Sequence, residues 1–301
     1  MAEDYSIFDR VWRVVLENDG RRLELYRDGV DIISGLRIEF DVQKGRALEP
    51  NTCNLKIYGL GDSDREFCMR RRMVLELYAG YKQDGARMLY RGTVLWGTLA
   101  RQGPDWVVSL ECIDGHCPNP VAVKFGAGTA QKEVLDGLRQ LVPGAEGRVG
   151  GVEKGPIKDQ PTGFMEKARI FVGTGKAALE MWSKENNLAT SIQDGKLISH
   201  AEDGDTGEPI IDVGPDTGLE GSPTRTRAGI GNQLFAAPGV DLSCRLRGDL
   251  TMGRRIRVSS EIFGGTKEKP GARECTVIKI LHTGDSWGAN WTTRLEAWYA
   301  D

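Results

Sequence analysis

Between Leu36 and Val42 apolar and charged residues alternate, with Leu36, Ile38, Phe40 and Val42 set against Arg37, Glu39 and Asp41. A period of two puts the four apolar side chains on one face of a strand and the charges on the other. Cys53, Leu55 and Ile57 do the same against Asn54 and Lys56. Further strands are predicted at Val11–Glu17, Arg22–Tyr26, Val74–Tyr81, Arg87–Ala100 and Asp105–Ile113. Turn signals at Asn18-Asp19-Gly20, Arg27-Asp28-Gly29, Asp84-Gly85 and Gly103-Pro104-Asp105 separate them. Many short strands with such turns predict a sandwich or barrel.

The period then changes. Thr129 is a predicted N-cap, and Val134, Leu135, Leu138 and Leu141 form one helical stripe ending at Pro143-Gly144. A loop rich in Gly, Pro and Lys is predicted from Pro143 to about Gly163. A second helix starts at Thr174, with Ala178, Met181 and Trp182 on one face and Lys176, Glu180 and Lys184 spaced for surface pairing. A hairpin follows, Thr190–Gln193 and Lys196–Ser199 across Asp194-Gly195. From about Glu202 the density of Gly, Pro and Asp rises, and strands return at Arg254–Ser259, Glu274–Thr283 and Asn290–Tyr299.

One echo links the two strand-rich ends. Thr93-Val94 leads through Gly103 to Trp106-Val-Val-Ser-Leu110-Glu111, and Thr276-Val277 leads through Gly288 to Trp291-Thr-Thr-Arg-Leu295-Glu296. In each, Trp and Leu point to the same, core-facing side. The reading is a mainly β chain, α+β overall, with related β domains at residues 1–115 and 205–301 flanking a mixed α/β insert at 116–204. Two superimposable barrels with the helices confined between them are expected.

A search for chemistry finds no site. Gly173-Thr174-Gly175-Lys176 resembles part of a phosphate loop, but Ile170 stands where its first glycine belongs and Ala177 where its hydroxyl belongs. Lys176 is better explained as a helix-surface residue. Cys112, His116 and Cys117 are three soft ligands without the second pair a structural zinc wants. The six cysteines read as reduced thiols. His116, His200 and His282 belong to no His-Glu-x-x-His, and no Gly-x-Ser-x-Gly elbow occurs. His282 and Asp285 lack a nucleophile nearby, and a packing or capping role explains His282 better. No acidic pair is singled out among 43 carboxylates for glycoside hydrolysis. Of Trp106, Trp287, Trp291 and Trp298, which could stack on sugars, Trp106 and Trp291 fit the core side of strands. Catalytic, cofactor and metal residues are therefore expected to be none.

Composition narrows the class. Of 301 residues, 40% are hydrophobic and 28% charged, which describes a globular chain of two or three domains. No run of about 18 apolar residues is present, so no spanning helix or membrane anchoring is expected. The opening MAEDYSIFDRVWRVV lacks the pattern of a secretory signal, so folding in the cytoplasm of the producing cell is expected. A net charge of −3 leaves no electrostatic footprint for gripping nucleic acid, and Arg70-Arg71-Arg72 reads as a solvated edge.

The ordered set of segments resembles a known family. Asn51-Thr-Cys-Asn-Leu-Lys-Ile-Tyr58-Gly-Leu60, Val74-Leu-Glu-Leu-Tyr-Ala79-Gly80-Tyr81, Leu89-Tyr-Arg-Gly92 and Cys112-Ile-Asp114-Gly115 are similar to the first domain of baseplate or tail-tip hub proteins of tailed phages. The helix after Gly173, running into Ser191-Ile-Gln-Asp-Gly195-Lys-Leu, resembles the family's insert. Thr217-Gly-Leu-Glu-Gly221-Ser-Pro223 and Leu281-His-Thr-Gly-Asp285 match its last domain, while residues 239–260 depart from it around Leu246-Arg-Gly-Asp-Leu250. The resemblance covers nearly the whole chain.

It implies a structural, non-enzymatic virion protein, like the late control protein of contractile phages and the base of the type VI secretion spike. Such hubs are homotrimers in which two tube-like β-barrel domains per chain build a ring of six that continues the hexameric tail tube. Partners are then the tube protein, the spike or tail tip, other baseplate proteins and the tape measure protein, with DNA only in passage. No cofactor is implied. The place is the tail of the virion, assembled in the host cytoplasm. The rival classes are a tail-associated peptidoglycan hydrolase and a carbohydrate- or receptor-binding module; the latter expects a groove of exposed tryptophans.

Overall fold

The computed structural model describes residues 9–27, 35–46, 48–70, 72–114, 120–142, 144, 151–228, 237–266 and 269–300. The first segment holds seven strands: β1 (Arg10–Asn18), β2 (Arg21–Arg27), β3 (Ile38–Gly45), β4 (Thr52–Tyr58), β5 (Val74–Tyr81), β6 (Gly85–Gln102) and β7 (Asp105–Ile113). A short helix, α1 (Asp62–Cys68), lies between β4 and β5. Helices are therefore not confined to the middle of the chain. Only Phe67 and Cys68 of α1 are buried, so seven residues carry no readable helical stripe.

The middle contains β8 (Pro120–Phe125), α2 (Gln131–Gln140), β9 (Glu153–Ile157), β10 (Arg169–Thr174), α3 (Gly175–Glu185), β11 (Leu188–Gln193) and β12 (Lys196–Ala201). Part of the predicted 143–163 loop is strand, because β9 pairs in parallel with β12. Thr129 does not cap α2; Ala130 holds that position, and the Thr129 hydroxyl bonds Gly126 O. Thr174 does cap α3, accepting from Ala177 N–H at 3.1 Å. Thr174→Ala is expected to cost about 1 kcal/mol in thermal unfolding, with Thr174→Ser recovering most of it. Trp182, Leu179 and Ala178 of α3 pack with Val134, Leu135 and Leu138 of α2 in a core separate from those of the flanking segments.

The last segment contributes β13 (Ile211–Val213), β14 (Leu219–Ala228), β15 (Ala237–Arg245), β16 (Arg255–Ser259), β17 (Ala272–Asp285) and β18 (Trp291–Tyr299). The chain is mainly β, and among the described residues the strand pairing shows no closed barrel. The first and last segments share one 13-stranded sheet, running β14-β15-β18-β17-β3-β4-β7-β6-β5-β1-β2, with β16 and β13 branching from β17. The reason lies in β17. Its first half pairs with β16, and its second half, from Lys279 to Asp285, pairs with β3.

Within this sheet a five-strand unit occurs twice. The first reads β3-β4-β7-β6-β5 and the second β14-β15-β18-β17-β16, in the same order of neighbours. The registers agree closely. In the β6–β7 hairpin Gly97 faces Leu110, Arg101 faces Trp106, and a bulge falls between Val94 and Trp96. In β17–β18, Ile280 faces Leu295, Gly284 faces Trp291, and the bulge falls between Val277 and Lys279. Trp106 and Trp291 hold matching positions in the pairing.

Their surroundings differ. Trp291 is 1% exposed and belongs to the core of the first unit, whereas Trp106 is 38% exposed under the Arg65 guanidinium. The expectation that both tryptophans are core residues holds only for Trp291. Its ring meets Phe40 edge-on at 5.3 Å, and its indole N–H donates to Gly80 O at 3.2 Å. Gly284 allows that approach, because a Cβ there would lie 2.2 Å from the Phe40 ring.

Candidate functional site

Alternation gives the continuous sheet one apolar and one polar face. The polar face carries Glu39, Asp41, Lys56, Glu111, Asp241, Asp285, Arg294 and Glu296, with Arg37 and Lys279 at its pairing seam. Each of its main cations is held by a carboxylate. Arg294 meets Asp241 at 2.5 Å, Lys279 meets Glu296 at 3.3 Å, Lys56 meets Glu39 at 3.5 Å, and Arg37 bridges Glu39 and Asp285 at 2.6 and 2.8 Å. With six carboxylates against four cations, this face is mildly acidic and, among the described residues, offers no basic stripe.

A second feature joins the insert to the sheet. Lys44, 7% exposed, donates to both Asp194 oxygens at 2.6 and 2.8 Å, and Arg91 N–H donates to Asp194 Oδ1 at 3.2 Å. Asp194 sits in the β11–β12 turn with φ 55, a left-handed conformation that Asp and Asn tolerate. Beside it, Asn51 donates from its backbone and side chain to Asp114 at 2.9 and 2.7 Å, and accepts from Gly45 N–H at 3.0 Å. Burial, opposed by those Asn51 bonds, lifts the Asp114 carboxyl to about 7. Lys176 is half-buried, with the charges of Asp114 and Glu180 acting on it, and the ion pair of Glu180 is made with Lys184 at 2.7 Å.

The structure separates the other candidates. His282 is buried and bonds Thr293 Oγ1 at 2.9 Å, while Asp285 is taken by Arg37. The two do not form an acid–base pair. Cys112 is a buried thiol facing Cys53 across β4 and β7; His116 and Cys117 lie outside the described residues. No cluster of three metal-ligating side chains occurs among the described residues. Trp291 and Trp298 are buried and only Trp106 and Trp287 are substantially exposed, so the four do not make one open groove. Among the described residues, no helix is long and apolar enough to cross a membrane.

Buried titratable groups set a pH dependence. Burial holds His200 down to about 4 and His282, which also faces Lys44, to about 3. Free histidine titrates near ~6.5, so below that pH the unfolded chain binds protons the folded one refuses, and stability falls. Asp114 opposes this: its folded value is about 7 and its unfolded value near ~3.9, so acidification favours the folded form. Two histidines against one carboxyl leave a loss of about 1.4 kcal/mol per pH unit between roughly pH 6.5 and 4. Urea midpoints are expected to drop across this window, and more steeply in Asp114→Asn. A flat profile would contradict the burial of the histidines.

No protein-family model and no curated protein matches the sequence. Solved structures do match. The chain is similar to the 43 kDa tail protein of prophage MuSo2 from Shewanella oneidensis, at 9% identity and TM-score 0.59, over 96% of this chain and 98% of that one. It is similar to the tail protein from Neisseria meningitidis at 11% identity and TM-score 0.57, over 95% and 96%. A third, at 9% identity and TM-score 0.57 over 95% and 77%, is an E. coli component of the type VI secretion system described as structurally similar to T4 bacteriophage tail proteins. Such identities speak to the fold. The fold is one shared by phage tail proteins and a type VI secretion component, along nearly the full chain.

Proposed function

We propose that this chain is a structural, non-enzymatic protein of a phage tail, serving as the baseplate or tail-tip hub. Three copies form a ring between the hexameric tail tube and the central spike, and DNA leaves through it. The observation that carries this reading is the duplicated five-strand unit: one chain with two equivalent units lets three chains meet sixfold symmetry. In this reading residues 1–115 and 205–301 line the tube, and 116–204 form an outer insert that faces neighbouring baseplate proteins. The tube protein, spike and tape measure protein are its partners. The tail proteins of similar fold support the setting.

The mildly acidic polar face, with its cations held by carboxylates, suits a passage lining. Every cation bound to phosphate adds salt-dependent affinity and would slow a moving polyanion. The purified protein is expected not to retain DNA at about 0.15 M salt; tight binding there would count against the passage role. Symmetry in the assembled particle decides the hub reading. Three chains per ring, each spanning two adjacent tube positions, are expected in electron cryo-microscopy; one chain in each of six equivalent positions overturns it. A zymogram addresses the peptidoglycan hydrolase alternative, which expects a cleared band.

A further inference from the structure

One end of the polar face forms a cleft of about 650 Å³, within the ~300–1,000 Å³ of small-ligand sites. Three neighbouring parts of the sheet build it: the entry to β3 with the end of β4, the β6–β7 hairpin, and the turn between β17 and β18. Its floor is already committed. Glu39 accepts from Arg37 at 2.6 Å and from the Tyr58 hydroxyl at 2.8 Å, with Lys56 at 3.5 Å. The Arg37 guanidinium also lies 4.8 Å from the centre of the Tyr58 ring. These groups shape the cleft and have little bonding capacity left for a ligand.

The walls differ from the floor. Trp287 stands on the β17–β18 turn and is 55% exposed. That turn is pinned. Arg10 donates to the carbonyls of Asp285 and Ala289 at 2.8 and 3.1 Å, and Arg27 donates to Ser286 O at 2.9 Å. Trp287 N–H donates to Asp285 Oδ1 at 2.9 Å, and Arg37 holds the same carboxylate. A large ring is thus held out in water on a fixed turn, so little ordering remains to be lost on binding. On the other side, beyond β3 and β4, Gln102 and Asp105 end the β6–β7 hairpin. Both are exposed, and among the described residues neither side chain makes a hydrogen bond or ion pair.

This chemistry selects a ligand class. Arg37 and Lys56 against Glu39 and Asp105 sum to zero, and both cations already contact Glu39. A phosphate meets no free cation here, and a cationic group meets a single free carboxylate. What stays open is an indole face, a carboxamide and a carboxylate: an apolar platform beside donors and acceptors. A sugar ring has the matching double character, since its C–H face packs on an aromatic ring while its hydroxyls both donate and accept. We propose that this cleft binds a neutral saccharide, with one ring stacked on Trp287 and its hydroxyls held by Asp105 and Gln102. The site goes beyond the hub reading and does not rest on it.

Titration with cellotetraose and maltotetraose tests the site, read on the indole N–H signals of the seven tryptophans in the isotope-labelled protein. The signal lost in Trp287→Phe belongs to Trp287, and the one lost in Trp96→Phe to Trp96. The Trp287 signal is expected to shift saturably with at least one sugar, half-way on the order of 1 mM, as suits a small open site. Trp96, an exposed ring outside the cleft, is expected to stay unmoved. Saturation transfer to the sugar reads the affinity of variants. Trp287→Ala is expected to weaken binding at least about tenfold, because the ring is the apolar platform. Asp105→Asn is expected to weaken it about threefold or more, since a carboxylate makes the stronger hydrogen bonds. Trp96→Ala is expected to change nothing. No shift of the Trp287 signal with either sugar up to about 20 mM overturns the proposal. Equal shifts at Trp96 and Trp287 overturn the cleft as the site, and full affinity in both Asp105→Asn and Gln102→Ala overturns the polar contacts. A stronger response to inorganic phosphate, arginine amide or uridine than to either sugar overturns the ligand class. None of these outcomes bears on the symmetry of the assembled particle, so the cleft and the hub stand or fall separately.

Discussion

Trp291→Ala is expected to destabilise the chain by about 3–5 kcal/mol, the range for removing a fully buried large aromatic. The indole fills the core of the first unit from the last strand of the second, so its loss strips contacts from Phe40 and leaves Gly80 O without its donor. The Arg10 guanidinium, 5.2 Å from the ring, also loses its cover while its bonds to the 285–289 turn remain. Trp106→Ala makes the control, since the residue has the matching register but a half-open environment. In the isolated chain it is expected to cost about 0.5 kcal/mol, as exposed positions do. Urea unfolding followed by circular dichroism measures both. Equal losses at the two positions would mean that their environments are alike in solution.

Asp194→Asn is expected to cost about 3–5 kcal/mol, because it leaves a buried ammonium without its counter-charge. Asparagine keeps the size and tolerates the left-handed turn, so the change isolates charge from shape. Lys44 contacts both Asp194 oxygens, and among the described residues no other carboxylate lies within bonding distance of it. Adding Lys44→Met to Asp194→Asn should restore much of the loss, since an apolar side chain has no charge to strand. A double-mutant cycle in urea reads this as strong coupling between the two positions. Additive losses would show that the pair contributes no more than an exposed one.

Much of the sheet is legible in the sequence, because alternation survives wherever one face is buried and the other wet. β1, β2, β4, β5, β7, β16 and β18 fall within a residue or two of their predicted spans, and β3 runs three residues past its own. β14 escaped because Ser222, Thr224, Arg225 and Arg227 are exposed on both faces, so no period marks it. β8 and β10 form a separate two-stranded ribbon whose outer face exposes Ile170 and Val172, which breaks the usual contrast between faces. The Trp-x-x-x-Leu-Glu echo located the matching hairpins, but not their burial, which depends on a strand from the other end of the chain. For the insert joint, Asp194-Gly195 reads as turn chemistry; its bond to Lys44, 150 positions away, has no local signature.

The split pairing of β17 also sets an order of events during synthesis. β3 leaves the ribosome early, yet the strand that covers its outer edge is among the last to be made. Arg10 reaches the backbone at Asp285, 275 positions further on, and Arg27 reaches Ser286 across 259. Contacts of such separation are slow to close, and a nascent chain holding the first unit alone exposes an apolar core edge. The same continuity that makes the finished sheet one body leaves the growing chain with an adhesive flank, which a chaperone or its own last strands must shield.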